Sequence, residues 1–300
     1  MGMRSKVSSD IPIDMGDLIR VRSIKIMDPA AREVEVLRDS EAIALADEYC
    51  CGVYEVYIEA LTVGIYPYRY VRNREIISTE EQLRLAQSRV VVVGAGGLGG
   101  HVILLLARLG IGHLVVVDND VFDETNLNRQ ALCSERTLGR SKSEQAVKEV
   151  GSINPGVKVV PYEVKLEPHN ATEILAGSNV VVDALDNVPD RLALEGATKK
   201  LGIPMVHGAL AGFEGQLMTI FPEDPGLKHL YRDWRTDLDK SKSPEAVLGV
   251  PITTPSIIAT LQAMEVIKII LNRGRLFRNT MLYIDLEAGQ LNEFVIQKEK

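Results

Sequence analysis

Arg89-Val90-Val91-Val92-Val93-Gly94-Ala95-Gly96-Gly97-Leu98-Gly99 is the stretch that decides the fold. A short β-branched run reads as a buried strand, and the apolar residues Val102 to Ala107 that follow the glycines read as a helix. Strand, glycine turn and helix in that order point the free N–H groups of a helix N-terminus at an anion. Asp118 closes the next apolar run, His113-Leu114-Val115-Val116-Val117, where a carboxylate accepts hydrogen bonds from ribose hydroxyls. The pattern describes a nucleotide site and leaves its chemistry open.

Outward from this stretch, β-branched runs at 90–93, 114–118, 157–162, 179–184 and 204–207 alternate with helical patterns at 98–109, 143–153, 168–176 and 189–201. Such alternation predicts a Rossmann-like, doubly wound α/β domain with a mainly parallel sheet. After Gly215 the pattern changes to a strand at 216–221, a proline- and charge-rich stretch at 222–250 and an apolar helix at 253–272. Two strands at 280–286 and 290–296 around Glu287-Ala288-Gly289 read as a hairpin, so antiparallel strands extend the sheet. Residues 1–66 differ: a polar start, an alternating Arg32-Glu33-Val34-Glu35-Val36-Leu37, and a helical pattern interrupted by Gly52. They read as a small, partly helical N-terminal appendage to a domain over 67–300.

At 300 residues the chain is long enough for a substantial core. A net charge of −7 disfavours sequence-independent binding to nucleic acid or to an anionic membrane. The start carries no signal-peptide pattern, and the apolar run 257–271 is short and holds Glu265 and Lys268, so the expectation is a cytoplasmic protein with no membrane partner. Only Cys50, Cys51 and Cys133 are present, which fits neither a disulfide framework nor a four-thiolate zinc site. Packing accounts for Cys50-Cys51 more simply than redox chemistry does.

A parallel sheet gathers the glycine turn, Asp118 and Asp186-Asn187 at the carboxyl ends of its strands. Arg129 and Lys142 lie on the excursion after the second strand, where either cation can offset charge on a phosphoryl group. Asp186 suits Mg²⁺, which prefers carboxylate and phosphate oxygens. Each member has a plain alternative: the glycine turn serves hydride-transfer enzymes too, a lone cation is usually a solvated surface charge, and Asp186-Asn187 can be a helix N-cap. The order of all of them together carries more than any one.

That order resembles the ThiF/MoeB/HesA family, relatives of the ubiquitin-activating enzymes, over roughly residues 68–297. Arg69-Tyr70-Val71-Arg72-Asn73 is similar to the family's R-Y-x-R-Q, Gly94 to Gly99 to its nucleotide turn, and Val117-Asp118-Asn119-Asp120 to its ribose-binding strand end. Asn126-Leu127-Asn128-Arg129-Gln130, Gly139-Arg140-Ser141-Lys142 and Asp183-Ala184-Leu185-Asp186-Asn187 resemble N-L-x-R-Q, G-x-x-K and D-x-x-D-N. The segments Gly208 to Gln216 and Leu261 to Lys268 are similar to the late signatures.

The resemblance implies ATP-dependent adenylation of a C-terminal carboxylate, usually the Gly-Gly end of a small ubiquitin-like sulfur carrier, with release of pyrophosphate. It assigns ribose to Asp118 and close approach to the phosphates to Gly96 and Gly97 within the turn from Gly94 to Gly99. It gives Mg²⁺ to Asp186 and places Asp120 beside the ribose end. Arg129, Lys142 and, in a homodimer, Arg72 of the neighbouring subunit would stabilise the reacting phosphate, with Asn126 and Gln130 orienting phosphate or metal. The chain departs from many members in two ways. Residues 217–300 contain no cysteine for a structural zinc, and Ser243 to Gly249 offers no thiol for a thioester or persulfide. The loop 223–249, with Lys228, Arg232, Trp234, Arg235, Lys240 and Lys242, is expected to cross the site and meet the carrier. Two other readings stay open: an NAD-dependent oxidoreductase, and a noncatalytic module that binds a ubiquitin-like partner. The carrier and its pathway are not specified by the sequence.

Overall fold

The structure, a computed structural model, describes residues 14–231 and 243–296. Arg232, Trp234, Arg235, Lys240 and Lys242, expected to face a carrier, lie outside the described residues. The chain divides into two compact units, one ending at Leu83 and the other beginning at Arg84.

The first unit contains α1 (Met15–Arg22), β1 (Ile24–Met27), β2 (Glu33–Leu37), α2 (Asp39–Glu48), α3 (Val53–Thr62) and β3 (Tyr66–Pro67), followed by a 3₁₀ turn over Tyr68–Asn73. Gly52 does separate two short helices, and Glu55 caps the second by accepting the Gly52 N–H at 3.0 Å. The alternating stretch is β2, whose Val34 and Val36 point inward. It pairs antiparallel with β1 and parallel with β3, a small mixed sheet that the helical reading of this region did not contain. Arg69, from the R-Y-x-R-Q-like segment, is engaged with Asp39 and with the Tyr57 hydroxyl at 3.0 Å. Helix α4 (Thr79–Gln87) carries the chain from one unit to the next.

The second unit opens with β4 (Arg89–Val93), α5 (Gly97–Leu109), β5 (His113–Val117), α6 (Lys142–Ile153), β6 (Lys158–Tyr162), α7 (Pro168–Leu175), β7 (Val180–Asp183) and α8 (Val188–Leu201). It continues with β8 (Met205–Ala211), β9 (Glu214–Ile220), α9 (Leu227–Leu230), α10 (Pro244–Leu248), α11 (Thr253–Leu271), β10 (Thr280–Asp285) and β11 (Gln290–Val295). The eight strands run β11-β10-β9-β8-β7-β4-β5-β6, parallel from β8 to β6 and antiparallel from β8 to β11. This is a doubly wound sheet with an antiparallel extension, as expected. Val90 to Val93, Leu114 to Val117 and Val180 to Val182 are buried on both faces, which is why they read as unbroken apolar runs instead of alternating ones.

Val93 is in register with Val117 on one side and with Asp183 on the other, and Asp183 with His207. Strand order reverses between β4 and β7, so the crevice that such sheets use for ligands opens beyond this row.

Strand β8 runs past the expected end at residue 207 to Ala211 and folds back onto β9 through Gly212-Phe213. The reason lies above it. Helix α11 crosses so closely that a Cβ at Gly208 would come within 2.7 Å of Gln262, and one at Gly215 within 2.4 Å of Ile258. These glycines, which look like strand breakers in sequence, admit the helix. By length and hydropathy α11 could cross a membrane. Its buried polar groups mark a core helix instead: Gln262 Nε2 donates to the carbonyls of Asp183 and Val206, and Glu265 accepts the Phe277 N–H.

Candidate nucleotide and active site

A cavity of about 560 Å³ lies at the carboxyl ends of β4, β5 and β7, within the size range of small-molecule sites. Its walls bring together Gly94, Gly96, Gly97, Asp118, Asp120, Arg129, Gln130, Lys142 and Asp186 from segments almost a hundred residues apart. Three of the residues singled out in sequence do not line it.

Gly99 is one of these. A Cβ there would sit 1.8 Å from the Gly94 carbonyl oxygen, so its task is to let α5 pack onto the turn after β4. Asn126 is another. Buried, it accepts the Asp123 N–H at 3.1 Å, and its carbonyl accepts the N–H groups of Arg129 and Gln130. It shapes the loop that presents those two side chains. Arg72 is exposed on the 3₁₀ turn of the first unit.

On the β4 side of the cavity, Gly94 takes φ +96°, and a Cβ would come within 2.5 Å of the Ala184 carbonyl. Only glycine is tolerated where β4 and β7 run this close. Helix α5 begins at Gly97 with no side chain capping it and no acid in its first turn, which leaves N–H groups and the positive helix end facing the cavity. The Arg129 stem lies over Gly97, at 3.4 Å from where a Cβ would be. Arg129 Nη1 donates to the Thr125 carbonyl and to Asn128 Oδ1, both at 2.8 Å, which sets the guanidinium in place before any ligand arrives. Gln130 Oε1 is buried with no hydrogen-bond partner among the described residues, an acceptor left for something in the cavity.

Asp118 and Asp120 line the cavity beside this turn. Asp118 Oδ2 accepts the Ala95 N–H at 2.7 Å and Oδ1 the Asp120 N–H at 2.8 Å. An ionised carboxylate retains lone pairs beyond these two. Lys142, with a side chain only 8% exposed, places Nζ 3.0 Å from Asp120 Oδ2. A nearly buried ammonium next to the glycine turn is a fixed positive charge.

Burial pushes the Asp118 carboxyl above the usual carboxylate range, against the pull of the Ala95 and Asp120 N–H groups and of Lys142. With its pKa raised, the native state binds more protons than the unfolded chain between the two pKa values. This group therefore lowers stability as pH rises through that window. Its effect on binding has the opposite sign, because the protonated acid is a poorer acceptor for ribose hydroxyls. The loss of ATP affinity on acidification, measured by calorimetry, is expected to be steeper in the unsubstituted protein than in the Asp118→Asn variant, whose remaining slope comes from protonation of the nucleotide's own phosphate. Equal slopes in the two proteins would contradict this role.

Asp186 is exposed on the cavity wall. Among the described residues its carboxylate takes one hydrogen bond, from Asn187 Nδ2 at 3.1 Å. Asn187 is the N-cap of α8, its Oδ1 accepting the Asp190 N–H at 2.9 Å. The N-cap reading is met by Asn187, while Asp186 lines the cavity. No group of three or more His, Cys, Asp or Glu among the described residues forms a metal cage. Asp186 with free lone pairs fits an Mg²⁺ that draws its other oxygens from phosphate and water.

Asp183, Arg191, His207 and Glu245 received no role in the sequence analysis. Asp183 and His207 are fully buried and meet at 2.7 Å. Arg191 and Glu245 border both this cavity and an adjoining one of about 650 Å³ between α8, the β8–β9 hairpin, Tyr231, α10 and Tyr283. The sequence signals were for Asp183 alone, an acid that ends the β-branched run Val180-Val181-Val182-Asp183 and opens the D-x-x-D-N-like segment.

The ThiF family profile matches residues 70–300. The chain belongs to the ThiF family. Over 220 residues it is 40% identical to the SAMP-activating enzyme E1 of Haloferax volcanii, covering 72% of this chain and 80% of that protein. Over 219 residues it is 37% identical to the sulfur carrier protein adenylyltransferase of Thermus thermophilus, covering 71% and 80%. It spans 56% of the adenylyltransferase and sulfurtransferase MOCS3 of Arabidopsis thaliana, at 35% identity and 85% of its own length. E. coli MccB, solved with AMPCPP and MccA, shares the fold with a TM-score of 0.66 at 21% identity, over 77% of this chain and 72% of that one. This ThiF-family chain is a nucleotidyltransferase of the ubiquitin-activating-like class.

Proposed function

We propose that this ThiF-family chain adenylates the C-terminal carboxylate of a small ubiquitin-like sulfur carrier ending in Gly-Gly. The observation that carries the reading is the convergence of Arg129, Lys142 and Asp186 on one glycine-lined cavity, in a chain whose relatives are named for activating such carriers. A carboxylate oxygen attacks the α-phosphorus of ATP, the bond from that phosphorus to the bridging oxygen breaks, and pyrophosphate leaves. Gly96, Gly97 and the start of α5 hold phosphate oxygens, and Gln130 supplies an acceptor. Asp118 and Asp120 border the ribose, while Arg129 and Lys142 offset the charge that grows on the phosphoryl group. Mg²⁺ on Asp186, when bound, neutralises phosphate charge. In a homodimer, Arg72 of the neighbouring subunit would add a further cation. In this reading the adenylation module runs over 67–300 with residues 1–66 as an appendage, while the compact units divide at Leu83 and Arg84, and the protein is cytoplasmic.

Ser243 to Gly249 offers no thiol, and burial raises the pKa of Cys133, which disfavours the reactive thiolate. The reaction is therefore expected to stop at an acyl-adenylate. Exchange of labelled pyrophosphate into ATP should depend on the carrier, and mass spectrometry should find carrier plus AMP. A thiol-sensitive enzyme–carrier adduct would contradict this endpoint. NADH binding without ATP binding would return the oxidoreductase reading, and carrier binding without ATP turnover the noncatalytic one.

A further inference from the structure

We infer that Arg191 is a positioning residue that holds Asp186 in place for a nucleotide-bound divalent cation, an inference that rests on the adenylation reading. Arg191 lies in the first turn of α8 and is 4% exposed. Its Nε and Nη2 both donate to the Leu185 carbonyl, at 3.1 and 2.7 Å. That carbonyl belongs to the peptide plane leading into Asp186.

The other end of Leu185 is held as well. Its N–H donates to Asp183 Oδ1 at 3.1 Å, and Asp183 Oδ2 lies 2.7 Å from His207 Nδ1. A buried cation and a buried carboxylate thus grip one residue from its two sides, and the next residue carries the exposed carboxylate. Two donors of a rigid guanidinium on one oxygen fix how the peptide plane faces, which a single ammonium cannot do. The outer face of Arg191 is engaged too, with Nη1 donating to the Tyr231 hydroxyl at 3.4 Å and Nη2 lying 3.9 Å from Glu245 Oε1. With Nε and Nη2 donating to the Leu185 carbonyl, Arg191 acts on the metal through Asp186.

The test is calorimetry of ATP binding in EDTA and across a Mg²⁺ series, for the unsubstituted protein, Asp186→Ala and Arg191→Lys. Arg191→Lys is expected to bind metal-free ATP within about twofold of the unsubstituted protein and to need about tenfold more Mg²⁺ for half-maximal tightening, shifting in the direction of Asp186→Ala. An unchanged Mg²⁺ midpoint overturns the inference. Equal losses with and without metal overturn it also, because a loosened cavity gives that result. If Arg191→Lys does not fold, Arg191→Gln, which keeps a single amide donor for the Leu185 carbonyl, is measured in the same Mg²⁺ series, and an unchanged Mg²⁺ midpoint overturns the inference. Failure of the unsubstituted protein to bind ATP at all would instead remove the adenylation reading, so the two failures are distinguishable.

Discussion

Asp186→Ala is expected to lower carrier-dependent pyrophosphate exchange by about two to three orders of magnitude while leaving the thermal midpoint where it was. The separation follows from geometry. Asp186 is exposed, it caps nothing, and its carboxylate takes only the Asn187 amide among the described residues, so the fold has little to lose. Its neighbour provides the control. Asn187 Oδ1 caps α8, so Asn187→Ala should cost about 1 kcal/mol of stability. Chemical denaturation and exchange rates on the two variants would therefore rank them in opposite order for stability and for activity. A folded Asp186→Ala protein with exchange within a few-fold of the unsubstituted one would remove this carboxylate from the chemistry.

Gly99→Ala is expected to destabilise the protein by about 3 kcal/mol, a large effect for one methyl group. The methyl would sit 1.8 Å from the Gly94 carbonyl oxygen and 3.2 Å from the Ala184 Cβ, so α5 would have to lift off the turn that it closes. Nothing in that contact is a flexible side chain that can move aside. Gly97→Ala, two residues earlier, meets only the Arg129 stem at 3.4 Å and should stay within about 1 kcal/mol of the parent. Urea denaturation of both variants tests the contrast. Equal stabilities would mean that the close approach of α5 to β4 is not what this glycine serves.

These two glycines show what a motif does and does not reveal. The order of Gly94 to Gly99 was enough to place a strand, a turn and a helix. It did not separate the glycines that line the cavity from the one that packs helix against turn, because that depends on where Ala184 and Gly94 lie in space. Asn126 has a structural contact that the motif did not show, since its Oδ1 accepts the Asp123 N–H within its own loop.

The five parallel strands and their helices were legible because each is a local pattern: an apolar run of strand length, or an apolar stripe of helical period, ending at glycine, proline or asparagine. The full length of β8 was not legible, since Gly208 and Gly215 weaken a strand in isolation and are favoured only when α11 lies across them. The first unit's sheet was hidden in part because β1 and β3 are four and two residues long, too short to show a period.

By itself, then, the order of residues determined the doubly wound sheet, the family and most of the residues that meet at the cavity, because backbone geometry and burial impose patterns that repeat along a chain. Only the tertiary structure decided how the Asp186 turn is held. Asp183, Arg191 and His207 carry no periodicity and no motif spacing that marks them as a set. They act together because parallel pairing puts the ends of β7 and β8 side by side and the first turn of α8 returns a guanidinium to the Leu185 carbonyl, contacts that exist only once distant segments are packed.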